Sequence, residues 1–213
     1  MYHAVFGFSN SPDIPFGQQN SGLLDQRFAL QWVRSNIAKF GGDPDKITIF
    51  GESAGGESVK QLLAQPPSPL PFRGAIMQSQ NTALIGDGKA NYENVLSRFG
   101  CASLDCIRGI SATEIQTYVD TEGLQFPPVE DATYNSNILP SIMSGKFAKV
   151  PIMMGTNKDE AQIFLAVAGL QNGTSLVDGI LDLTGLNIPA VETSLLVKYA
   201  AAGIDVASGL LNR

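Results

Sequence analysis

Histidine is almost missing from this sequence: 213 residues hold one, His3. Cysteine is nearly as rare, with only Cys101 and Cys106. No CxxC or histidine-rich spacing accompanies them, so no zinc site, other metal or cofactor is expected. Basic residues are outnumbered, with 14 Lys and Arg against 20 Asp and Glu, for a formal net charge of −6. A nucleic-acid binder would carry a basic face and a peripheral membrane anchor a polybasic cluster, and this balance argues against both. No apolar run reaches the roughly 18 residues that span a bilayer, so no transmembrane segment is expected. Residues 1–8 lack the basic start and cleavage-like end of a signal peptide and read as the beginning of a strand.

Apolar residues are plentiful. At 44% hydrophobic, the chain is long and apolar enough for one domain with a real core. Strand-like and helix-like segments alternate, which predicts an α/β fold with a mostly parallel sheet flanked by helices. Residues 3–8 read as a strand, and residues 9–20, with Pro12, Pro15 and Gly17, as a loop. From Leu23 to Phe40 the apolar spacing predicts an amphipathic helix, which Gly41-Gly42-Asp43-Pro44 ends. Residues 46–50 predict a buried strand, followed by a helix to about Ala64 that Pro66, Pro67, Pro69 and Pro71 stop. Residues 72–78 and 150–155 predict two more strands. Residues 89–119 read as helical with a break at Gly100, and the tail from Asp159 as short helices split by glycines.

Gly51-Glu52-Ser53-Ala54-Gly55 fits G-x-S-x-G, between a predicted strand and a predicted helix. In that setting the chain turns so sharply that the serine backbone is strained and its hydroxyl stands above the sheet edge. A side chain two residues before or after the serine would strike crossing elements, so glycine is expected at both places. The following helix points its positive end at Ser53, and the Ala54 amide can donate to a developing oxyanion. The alternative is a glycine-rich turn of no consequence, and in a chain with 22 glycines the bare pentapeptide is a weak signal. Cys101 and Cys106 read equally well as a small disulfide loop or as two free thiols.

The wider sequence carries more. Residues 20–27 (NSGLLDQR), 40–44 (FGGDP), 49–56 (IFGESAGG), Gln78-Ser79 and 155–160 (GTNKDE) resemble, in order, the type-B carboxylesterase family, which includes cholinesterases and fungal lipases. The resemblance covers nearly all of residues 2–165 and is weak beyond. It implies a partial α/β-hydrolase fold, a small-molecule ester as substrate, and a serine acyl-enzyme mechanism with Ser53 as nucleophile and Glu160 as the acid of the triad. On local chemistry Asp159 rivals Glu160, and either could be a solvated acid at a helix start. Glu52, beside the nucleophile, would tune the site or serve as a hydrogen-bonded structural acid. Ser79 matches a serine behind the family's catalytic site, but Gln80 stands where the family usually has glycine. Asp25 matches an acid that pairs with an arginine in relatives, and Tyr2 occupies the place of that arginine. By the same resemblance Cys101 and Cys106 form a disulfide, implying a secreted parent.

The family's catalytic histidine follows the acid far downstream, and its His-Gly-Gly oxyanion loop precedes the first strand. Neither is among these 213 residues, and His3 matches no catalytic position. The resemblance thus implies a single incomplete domain over residues 1–213, truncated at both ends, with residues 166–213 a weakly assigned tail. Such a chain is expected to hydrolyse esters poorly on its own and to expose a raw sheet edge. A non-catalytic binding or adhesion relative and a non-functional truncated product are the competing readings.

Overall fold

The structure, a computed structural model, describes residues 4–80 and 87–157. All the elements below belong to the first of two units, Met1–Thr156. Three strands, β1 (Thr48–Glu52), β2 (Gly74–Gln78) and β3 (Ile152–Gly155), form a parallel sheet in the order β1-β2-β3. Thr48 pairs with Gly74 and Ala75 with Ile152, so the three strands end side by side. Seven helices accompany them among the described residues: α1 (Ala4–Gly7), α2 (Ser21–Asn36), α3 (Ala54–Ala64), α4 (Gly88–Phe99), α5 (Leu104–Ile107), α6 (Ala112–Thr121) and α7 (Leu139–Met143). This is the expected α/β arrangement, part of an α/β-hydrolase sheet with helical cover. No helix among the described residues is long and apolar enough to cross a membrane.

The principal core lies between α3 and the sheet. Val59, Leu62 and Leu63 of α3 close on Ile49, Ala75 and Met77, with Phe72 and Ala148 at the margin. These side chains alternate along β1 and β2, so one sheet face is sealed by α3. The other face keeps Phe50, at 74% exposure, and Met153, at 67%, on either side of Ile76. A second cluster joins α4, α5 and α6 through Tyr92, Val95, Ile107, Ile115 and Val119.

Two expectations need correction. Residues 3–8 were expected as a strand, but Ala4–Gly7 form one helical turn. Among the described residues no strand pairs with this segment, so it lacks the neighbour that a strand requires. Burial rather than pairing fixes it, since Val5 and Phe8 pack into the second cluster. The helix expected from Leu23 to Phe40 exists as α2 plus a 3-10 turn (Ile37–Phe40), ended as expected by Gly41 in the left-handed conformation at φ 82°. Only part of its apolar stripe meets the core, however: Leu23 is buried and Leu30 packs against the principal cluster, whereas Phe28, Trp32 and Phe40 are exposed. Polar contacts add to this packing: Arg34 Nη1 donates to the Leu70 carbonyl at 2.8 Å and Gln26 Nε2 to Ser58 Oγ at 3.1 Å. Asp25 is exposed on α2, so it needs no buried cation.

Cys101 and Cys106 form a disulfide with α-carbons 5.5 Å apart, within the range such a bond requires. The loop encloses the start of α5, whose first turn is capped by Ser103 Oγ accepting from the Cys106 amide at 3.4 Å. Closing so short a loop removes denatured-state entropy corresponding to about 2 kcal/mol. Replacing both cysteines by serine is therefore expected to lower the melting temperature by about 4–8 °C. Thermal unfolding followed by circular dichroism checks this, and an unchanged midpoint would show the bond is energetically idle.

Candidate active site

Ser53 occupies the single residue between β1 and α3, with φ 54° and ψ −117°. A β-carbon makes that backbone region costly, and such strain persists only where surrounding contacts over-determine it. Three contacts do so. The Ser53 amide donates to the Gln78 carbonyl at 2.9 Å, joining the turn to the tip of β2, and the Ser53 carbonyl accepts from the Glu57 amide at 3.0 Å in the first turn of α3. Gly51 lies against Gly55 so closely that a β-carbon on Gly51 would overlap the Gly55 carbonyl group. The Ser53 side chain is half-buried and does not cap α3. Its hydroxyl is thus left at the carboxyl ends of the strands, where ligands of open α/β sheets bind. Ala54 opens α3 and is exposed. Its amide is one of the first four, which a helix cannot satisfy internally.

The glycine requirement differs from the expected pair. Gly51 is sterically constrained, but a β-carbon on Gly55 would meet nothing within 4 Å. The second constrained position is Gly56, where a β-carbon would come 3.1 Å from Gln80 Cα and 3.2 Å from the Gln78 carbonyl. The close approach is between α3 and the β2 tip, one residue further along the helix than the motif marks.

Ser79 follows β2 as Ser53 follows β1, and it too has a positive φ, 46°. Its amide donates to the Gly155 carbonyl at 2.8 Å. Two strained serines thus stand side by side above adjacent strands, and β3 delivers Gly155 and Thr156 to the same edge. Glu160 and its rival Asp159 lie outside the described residues. Glu52 ends β1 and is exposed, and its carboxylate makes no hydrogen bond or ion pair to another described residue.

A polar cluster beneath the turn was not foreseen. Glu57 and Lys60, three apart on α3, are both buried and paired at 2.7 Å. Gln61 Nε2 donates to Glu57 Oε1 at 2.9 Å and to the Asn135 carbonyl at 2.9 Å, and Gln80 Nε2 donates to Glu57 Oε2 at 2.8 Å. Burial raises the Tyr134 phenol above its ordinary pKa, and the negative charge of Glu57 adds to the effect. The one sequence signal was Gln80, where a glycine was expected.

Comparison with known proteins agrees with this geometry. The model of the Carboxylesterase family matches residues 3–179. Lipase 4 of Diutina rugosa is 42% identical over 188 residues, covering 76% of this chain and 34% of the lipase. Secreted lipase 1 of Botryotinia fuckeliana is 35% identical over 222 residues, 91% of this chain and 39% of that protein. Cholinesterase 2 of Branchiostoma lanceolatum is 37% identical over 164 residues, 68% of this chain and 49% of that protein. The chain therefore spans between about a third and a half of the length of these relatives. With a strand-serine-helix turn above a parallel sheet, and a family match over most of its length, the chain belongs to the carboxylesterase family.

Proposed function

We propose that this chain carries the nucleophilic half of a serine carboxylic-ester hydrolase. The carrying observation is the backbone of Ser53, held at φ 54° between β1 and α3 with its hydroxyl unused as a helix cap. The Ser53 oxygen attacks the carbonyl carbon of a small-molecule ester, the alcohol leaves, and water then releases the acyl group from the serine. The Ala54 amide, at the positive end of α3, stabilises the oxyanion of each tetrahedral intermediate. Glu160 is the acid that orients the base, a role supported by its place five residues after β3. Gly51, Gly56 and Ser79 shape the turn and the strand tip beside it. That relatives include a protein named secreted lipase favours an extracellular setting, as the disulfide does.

The sole histidine is His3, outside the described residues and at no position matching a general base, so the test supplies the base from solution. A fluorophosphonate probe is expected to label Ser53, identified by peptide mass. Added imidazole is expected to accelerate the labelling, and Ser53→Ala to abolish it. Equal labelling of the alanine variant, or a label on another serine, would remove Ser53 from the mechanism.

A further inference from the structure

Glu57 bears a buried charge for which the ester chemistry has no use, and it closes a ring of bonds around the nucleophile. The ring runs from the Ser53 amide to the Gln78 carbonyl at 2.9 Å, then along the chain to Gln80. It crosses from Gln80 Nε2 to Glu57 Oε2 at 2.8 Å and returns through the Glu57 amide to the Ser53 carbonyl at 3.0 Å. We propose that Glu57 is a positioning residue for Ser53, acting through Gln80 to hold the tip of β2 against the turn. The proposal rests on reading Ser53 as the nucleophile.

Three features give the ring its stiffness. The carboxylate is held by Lys60 Nζ at 2.7 Å on Oε2, the oxygen that Gln80 also reaches, and by Gln61 Nε2 at 2.9 Å on Oε1. Gln61 is itself fixed by two bonds to the Asn135 backbone, donating to its carbonyl at 2.9 Å and accepting from its amide at 3.0 Å. Hydrogen bonds to a carboxylate are stronger than those between neutral groups, so the Glu57–Gln80 bond is a firm link. Inside the ring sits Ser79, whose φ of 46° needs an external restraint to persist. Gly56 lets the two sides close, since a β-carbon there would come 3.1 Å from Gln80 Cα. A side chain at position 80 thus has a buried acceptor waiting on α3, and the two residues act as a matched pair.

The test is residue-resolved amide hydrogen exchange on the 213-residue chain and two variants. In Gln80→Ala, which leaves the Glu57–Lys60 pair intact, the Ser53 and Ser79 amides are expected to exchange about tenfold faster. The amides of Leu62 and Leu63, further along the same helix, are expected to stay near their original rates. Gln80→Lys, which restores a donor to Glu57, is expected to return Ser53 towards the original rate. Imidazole-assisted fluorophosphonate capture at Ser53 should slow several-fold in Gln80→Ala and recover in Gln80→Lys. Unchanged exchange at Ser53 would overturn the proposal, as would equal acceleration along all of α3, which marks a loss of global stability. Failure of the nucleophile reading is visible separately, as absence of label on Ser53 in the unaltered chain.

Discussion

Replacing Glu57 by alanine is expected to lower the unfolding free energy by about 3–5 kcal/mol. The reason is what remains behind. Lys60 is buried, with its ammonium 2.7 Å from the Glu57 carboxylate. Without that partner the cation is stranded in a poorly solvated place, and the side-chain amides of Gln61 and Gln80 lose an acceptor together. The effect is a cost of removal, not a measure of what the pair contributes. The double variant Glu57→Gln with Lys60→Met removes both charges and keeps one acceptor for the glutamines. It is therefore expected to unfold within about 1.5 kcal/mol of the original chain, since an apolar group of similar volume often replaces a buried ion at little cost. Urea titrations of the single and double variants decide the matter. A single-variant loss below about 1 kcal/mol would mean that water reaches Lys60 and that the cluster is not a dry one.

Gly51→Ala is expected to cost about 3 kcal/mol, with a melting temperature lower by about 6–12 °C, because the added methyl would overlap the Gly55 carbonyl group. Backbone on both sides of the contact leaves no flexible side chain to yield. Either β1 retreats from the sheet or the turn at Ser53 opens. Gly55→Ala is the matched control. A β-carbon there meets nothing within 4 Å, and the residue lies inside α3. Alanine is favoured over glycine within a helix by about 1 kcal/mol, so this variant is expected to be as stable as the original or more so. Thermal melts of the two proteins side by side give the answer. Equal destabilisation would show that the motif's two glycines are steric equals after all.

The serine turn was legible because its signals are local. A β-branched run before Gly51, a glycine two residues before the serine and helix-forming residues after it all fall within one short stretch. The stops after α2 and its 3-10 turn and after α4 were legible for the same reason, through Gly41 and Gly100, both in left-handed conformations. What the sequence concealed depends on partners far along the chain. The apolar run around Val5 has strand character, yet strand formation needs a neighbour, and burial against Tyr92 and Val95 decided its shape instead. The helical period of α2 was visible, but the period says nothing about which face meets a core. Glu57 and Lys60 have the spacing of an exposed ion pair on a helix. Only the approach of Gln80 and Asn135 to that face of α3 makes the pair a buried one.

The order of strands also bears on how unequally the sheet is held together. β1 and β2 are joined through α3 alone, whereas β3 reaches its place beside β2 only after α4, α5, α6 and α7. Between paired residues, from Thr48 to Gly74 in one case and from Ala75 to Ile152 in the other, the second closure involves about three times as much chain. That adds about 1 kcal/mol of entropic cost to bringing the ends together. All residues of β3 are exposed, so little burial offsets that cost. The weakest seam of the sheet therefore runs between β2 and β3, on the far side of β2 from the Ser53–Gln78 bond. Opening that seam releases Ser79 from Gly155 while the anchor of Ser53 to Gln78 stays closed.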